Sequence, residues 1–222
     1  MAARQAKAEK TGKKPRGRGP QAPKSGPNKK DQVNLTDEDS RIMPSSGKDF
    51  DQSYNAQAAV DIDSMLIVES HVSQKTNDKQ EILPALENLD SLPEKLGVVD
   101  TLVADAGYFS KDNVNICNRN GMEPLIATGR KQHNQTYQDR FCQPEPLAED
   151  TDSVSRMRHR LKTEEGRQLY AKRKCTVEPV FGIIKQVMRF RQFLLRGFES
   201  VQGEWNLVAM AWNLKRMFAL SR

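Results

Sequence analysis

Residues 98–128 constrain the fold more than any other stretch. VVDTLVADAG (98–107) reads as a strand, an apolar run closed by turn residues. KDNVNICNRNG (111–121) follows with amphipathic spacing and a terminal glycine, and EPLIAT (123–128) is short and apolar again. Strand, helix and strand joined by only a few residues cannot form a hairpin. They bring two strands side by side in parallel through a right-handed crossover. Parallel strands need cover on both faces, so the chain must be mixed α/β, with the 98–107 strand buried.

The flanking pattern fits that scheme. YNAQAAVDI alternates at its start, with Tyr54, Ala56 and Ala58 on one face, and MLIVESHV is apolar and rich in β-branched residues. The DIDS between them supplies turn chemistry, which predicts an antiparallel hairpin. NDKQEILPALENLDSL has a capping start and Ile82, Leu83, Leu86 and Leu89 at helical spacing. Residues 129–155 are polar and read as a loop or insertion. From about Ser155, MRHRLKTEEGRQLYAKRK is helix-prone, and VFGIIKQVMRF follows Pro179. A residue before proline is biased away from helical geometry, so a helix start or kink is expected at Glu178. Glu199 to Leu220 forms a final helix with two stripes: Val201, Trp205, Val208, Trp212, and beside them Leu207, Ala211, Leu214, Phe218. A helix this apolar is expected to be buried.

Charge is unevenly placed. Of the 35 Lys/Arg residues, ten fall in residues 1–30 with a single Glu, so the net +6 of the 222-residue chain comes from this segment. Residues 1–32, rich in Pro, Gly and Lys, read as a disordered or extended tail ahead of a domain spanning 33–222. Such an arm suits either phosphate contacts with nucleic acid or simple solubilisation. Cys117, Cys142 and Cys175 show no CxxC pair and no ligand spacing with His71, His133 or His159, which argues against zinc and for free thiols. No apolar run approaches membrane-spanning length and the N-terminus carries no secretory pattern, so a cytoplasmic protein is expected.

Chemistry rests on carboxylates. Asp105 closes the apolar run of the 98–107 strand, where ligands gather in open α/β sheets, although a helix-capping or turn role is the more common reading of its position. Glu178 lies among Tyr170, Arg173, Lys174 and Lys185 and reads either as a functional acid or as half of a surface ion pair. Two such acids, with a third from the first part of the sheet (Asp37, Asp39 or Asp61), form the donor set that phosphoryl transfer through divalent metal requires.

In combination, NLTDEDSRIM, YNAQAAVD, LVADAGYFS, YAKRKCTVEPVFGIIK and FLLRGFESVQGEWNLVAMAWNLKR resemble the catalytic region of bacterial insertion-sequence DDE transposases, especially those with a Tyr–Arg–Glu–Lys signature. The resemblance covers residues 33 to about 220. It implies an RNase H-like α/β fold, a mixed sheet of antiparallel hairpin plus parallel strands flanked by helices. It also implies Mg²⁺ or Mn²⁺ dependence, DNA (transposon ends and target) as partner, a nucleoid setting and a homo-oligomer in the DNA complex. By position, Asp105 and Glu178 match the second and third acids, and Asp37 is favoured over Asp39 and Asp61 for the first. Tyr170, Arg173 or Lys174, Lys185 and Arg196 become candidate DNA contacts. Arg173 to Glu178 leaves one residue more than the common signature, and Lys174 restores the usual spacing. Relatives usually carry a helical DNA-binding region ahead of this part, where this sequence has a basic, low-complexity segment of 32 residues. Three activities are therefore in view: a transposase catalytic domain, a truncated DNA-binding remnant without catalysis, and a general metal-dependent nuclease.

Overall fold

Short strands need cross-strand partners and amphipathic helices need a face to cover, and the described residues meet both demands with three strand pairs and five α-helices. The computed structural model describes residues 33–44, 49–129, 143–148 and 150–222. The 1–32 tail and most of the 129–155 insertion lie outside the described residues. Strands β1 (Arg41–Pro44) and β2 (Phe50–Ser53) form a small antiparallel pair, which the sequence pattern did not suggest. Strands β3 (Asn55–Val60) and β4 (Ile67–Ser73) form the expected hairpin, with Gln57 opposite His71. Strands β5 (Thr101–Ala104) and β6 (Glu123–Ile126) pair in parallel around helix α2 (Lys111–Arg119). The remaining helices are α1 (Ile82–Asp90), α3 (Ser153–Arg160), α4 (Glu164–Gln186) and α5 (Phe198–Leu220).

Local chemistry explains where several elements begin and end. The Asp61 carboxylate accepts the Ser64 N–H and hydroxyl at 2.8 and 2.5 Å, and these bonds hold its pKa below the usual carboxylate range. Met65 completes that turn at φ 59, so β4 begins at Ile67 rather than at Met65. Ser110 caps α2 through the Asn113 N–H at 3.0 Å, and Gly121 follows the helix at φ 72. Thr163 breaks the long charged segment into α3 and α4 by accepting the Gly166 N–H at 3.1 Å. Helix α4 then runs through Pro179 without a break at Glu178. The N–H that proline lacks would have bonded the Cys175 carbonyl, and Cys175 lies on the exposed side, so no buried acceptor is orphaned.

Gly166 is required by close approach. A Cβ there would sit 1.9 Å from the Arg160 carbonyl oxygen, whereas one at Gly182, further along the same helix, meets nothing within 4 Å. Gly166→Ala is therefore expected to destabilise the fold by about 2–4 kcal/mol. Gly182→Ala should stabilise it by about 0.5–1 kcal/mol. Urea unfolding of both variants checks the pair, and equal midpoints would refute the steric reading.

The hairpin lies between two apolar cores. On one face Tyr54, Ala56, Ala58 and Val72 pack on Val180 and Ile184 of α4 and Val201, Trp205 and Trp212 of α5. The second core joins Ile82 and Leu86 of α1 to Val114 and Cys117 of α2, Ile126 of β6, and Val154 and Met157 of α3. The β5 side chains are half-buried rather than fully buried. Helix α5 lies along the outer edge of β4 and satisfies it with side-chain amides. Asn213 exchanges two bonds with the Ile67 backbone at 2.8 and 2.7 Å, and Gln202 accepts the Val72 N–H at 2.7 Å. The Val201–Trp212 stripe is buried as expected. The second stripe is not: Leu207, Leu214 and Phe218 are all more than 60 % exposed, because the hairpin is only wide enough to cover one side of the helix.

The other face of the hairpin is polar yet buried. His71 Nδ1 meets Glu69 Oε1 at 2.8 Å and Nε2 meets Glu81 Oε2 at 3.0 Å. Ser73 and Asn88 donate to the same two carboxylates, and Lys75 Nζ lies 3.9 Å from Glu81. Burial pushes the His71 imidazole pKa down, and the two carboxylates more than offset it, so the net shift is upward. A folded pKa above the unfolded value stabilises the fold fully below 6.5 and loses that contribution as pH rises through the folded pKa. Thermal unfolding at a series of pH values should show a fall in midpoint over that window. The fall should be absent from His71→Gln.

Candidate active site

Asp105 follows β5 directly and caps the single 3₁₀ turn Ala106–Tyr108, accepting the Gly107 N–H at 2.7 Å. The capping role is thus present, but it is not the whole of the arrangement. A Cβ on Gly107 would lie 3.0 Å from Asp105 Oδ1 and 3.1 Å from Asp78 Oδ2. Two carboxylates therefore border one small space beyond the carboxyl end of a parallel strand, and the missing side chain of Gly107 keeps that space open.

Asp78 is held from the hairpin side. Its Oδ1 accepts from Asn55 Nδ2 at 2.9 Å and from Gln57 Nε2 at 2.8 Å. Gln57 is buried, and its Oε1 accepts the Tyr108 hydroxyl. Burial and then the charges of Asp78 and Asp105 push the Tyr108 pKa up, which keeps that hydroxyl a proton donor. The turn that carries Asp105 is thereby pinned to β3 through one buried amide.

Helix α4 packs against both β5 and β3. On it, Arg173 Nη2 lies 3.2 Å from Glu178 Oε1 and the guanidinium stands 5.8 Å over the Tyr170 ring. Arg173 rather than Lys174 is therefore the partner of Glu178, and Lys174 is exposed. Glu178 has 54 % of its side chain exposed. The Lys185 ammonium lies 6.0 Å from the Phe181 ring centroid, and Arg196 is exposed in the connection to α5.

Asp37 is engaged elsewhere. Its two oxygens accept the Tyr54 hydroxyl at 2.7 and 2.9 Å, and Oδ1 also accepts the Gly197 N–H at 3.3 Å. Asp39 accepts the Phe198 N–H at 3.0 Å. Both acids thus sit on the orphan donors at the start of α5, where negative charge is favoured, and Asp61 caps the hairpin turn. Burial, followed by the bond and charge of Asp37, raises the Tyr54 pKa. Asp37, Asp105 and Glu178 do not form one ligand set, since among the described residues no three His, Cys, Asp or Glu groups are placed to hold a metal together.

Asp78, Asn55, Gln57 and Tyr108 were not picked out from sequence. Asn-Asp at 77–78 reads as a helix start, and Asn77 does cap the turn Asp78–Gln80, which hides the second role of its neighbour. The donors fit a hard divalent cation all the same: Asp105 and Asp78 offer carboxylate oxygens to one space, the ligand type that Mg²⁺ and Mn²⁺ prefer.

The antiparallel hairpin and the parallel βαβ unit, flanked by helices and with an acid closing the first parallel strand, form a mixed α/β domain consistent with an RNase H-like fold. The family model described as transposase DDE domain matches residues 18–214. That is most of the chain, and the protein belongs to this family of transposases, which act on DNA. The comparison with curated proteins and that with solved structures each give no match. Among the described residues, no helix is long and apolar enough to cross a membrane.

Proposed function

We propose that this domain carries out metal-dependent cleavage and strand transfer at the ends of an insertion sequence. Asp105 and Glu178 serve as acids, and residues 1–32 act as a basic arm on DNA. The observation that carries this reading is the pair Asp105 and Asp78 facing one space at the end of β5, the strand against which the Glu178 helix packs. Asp78 is a better partner for Asp105 than Asp37, because it borders the same space, whereas both Asp37 oxygens are already committed at Tyr54 and the start of α5. Asp105 and Asp78 would hold a divalent ion, whose chemistry when bound would be activation of an attacking oxygen and neutralisation of charge on a leaving one. The chain itself orients Asp105 through its turn and Asp78 through Asn55 and Gln57. Arg173 holds Glu178, and Arg173, Lys174, Lys185 and Arg196 lie near or beyond Glu178 in sequence as candidate phosphate contacts.

The test is incubation of the chain with DNA carrying the element's ends, with Mg²⁺, with Mn²⁺ and with chelator. Nicked and joined products are expected only with metal and only at the ends, and Glu178→Gln should abolish them. Metal-dependent cutting indifferent to the end sequence would mark a general nuclease. A second reading, a DNA-binding remnant without catalysis, is favoured by the pairing of Glu178 with Arg173. It predicts binding that weakens steeply with salt and no product under any metal.

A further inference from the structure

The register of the hairpin sets Asn55 opposite Ser73 and Gln57 opposite His71. Directly opposed residues on neighbouring strands share one face of the sheet. The β3 member of each pair, Asn55 and Gln57, donates to Asp78 Oδ1. The β4 members hold Glu81 instead. Ser73 donates to its Oε1 at 2.9 Å, and His71 Nε2 lies 3.0 Å from its Oε2. Two cross-strand pairs thus fix both ends of the segment 78–81.

Glu81 stands at the start of α1, yet its side chain makes no capping bond there. It is 2 % exposed, and its backbone N–H closes the turn by donating to the Asp78 carbonyl oxygen at 3.1 Å. A buried carboxylate is costly unless its oxygens are bonded, and both oxygens of Glu81 are bonded to β4. His71 is braced in turn by Glu69, which also accepts from Asn88 of α1.

We propose that Glu81 and His71 are positioning residues for Asp78. Through the pairs Asn55–Ser73 and Gln57–His71, the hairpin holds the Asp78 carboxylate beside that of Asp105 and so sets the affinity of the two for a divalent ion. The inference rests on Asp78 and Asp105 as the metal-holding pair. Glu81 acts through geometry, by anchoring the turn, and its charge is not what the ion needs.

Binding of Mn²⁺ to the full chain without DNA, followed by the electron paramagnetic resonance of the free ion, tests this. Glu81→Ala should weaken binding by about 10-fold or more, the loss typical when a group supporting a ligand is removed. Glu81→Gln keeps an oxygen for Ser73 and an amide for His71, so it should bind as wild type does. Met157→Ala, in the buried part of α3, should lower the melting midpoint and leave Mn²⁺ binding unchanged. Should Glu81→Ala lose its circular dichroism, Ser73→Ala removes one of the two anchors and should weaken binding severalfold. Unchanged binding in a folded Glu81→Ala or Ser73→Ala overturns the proposal. So does Glu81→Gln as weak as Glu81→Ala, which makes the charge the operative feature, or an equal loss in Met157→Ala, which reduces the effect to stability. A wild type that binds no Mn²⁺, or an Asp105→Asn that binds as wild type does, overturns the metal-holding pair itself and the proposal with it. A failure confined to the Glu81 and Ser73 variants leaves that pair standing.

Discussion

Asp105→Asn is expected to lower metal-dependent cleavage by at least about 10²-fold, the loss typical when one charge-stabilising group is removed from a reacting centre. The substitution isolates charge from structure. Asparagine keeps an oxygen that accepts the Gly107 N–H, so the cap and the turn Ala106–Tyr108 survive. The two side chains have nearly the same shape, so Gln57 and Tyr108 keep their contact. Melting of the variant should match wild type while the cleavage product disappears, and the metal concentration needed by any residual activity should rise. Full activity in this variant would remove Asp105 from the reaction.

Trp205→Ala is expected to cost about 3–5 kcal/mol, the usual range for deleting a buried aromatic. Trp205 is 2 % exposed, stacks with Phe181 and Phe190, and donates its indole N–H to the Gln57 carbonyl oxygen at 2.8 Å. Truncation leaves a cavity between α4, α5 and the hairpin and also orphans an acceptor on the residue that holds Asp78 and Tyr108. The effect should therefore reach the site as well as the core. Urea unfolding measures the first, and Trp205→Phe separates the two. Phenylalanine refills most of the volume without the N–H, so it should recover most of the stability but not the bond at Gln57. A loss of under 1 kcal/mol in the alanine variant would contradict the packing described.

Periodicity was readable where one principle dominated. The hairpin, the β5–α2–β6 unit and the Val201–Trp212 stripe each bury apolar groups at their natural spacing, and each lies where the pattern placed it. What escaped was set by contacts between distant segments. The far face of the hairpin packs Gln57, Glu69, His71 and Ser73 inside, and polar residues on a strand ordinarily read as solvent-facing. The break between α3 and α4 was marked by Thr163 and Gly166, a cap and a close approach buried in a charged, helix-prone run. Asp37 and Asp39 look like any loop acids until α5 returns to them. For the same reason Asp105 could be singled out from its strand, whereas its partner across Gly107 could not.

The dependence of β4 on α5 bears on how the protein is made. Asn213 satisfies the Ile67 backbone from 146 residues further along the chain, and Gly197 reaches Asp37 across 160. During synthesis the hairpin emerges long before the helix that closes it, with the backbone groups of β4 unpaired in the meantime. Such an open edge is a template for pairing with other chains, and closing it last makes folding slow and sensitive to crowding of nascent molecules. Truncating α5 ahead of Gln202 would remove both amides that close β4 and trap the chain in that state, and aggregation would set in before any loss of chemistry could be measured.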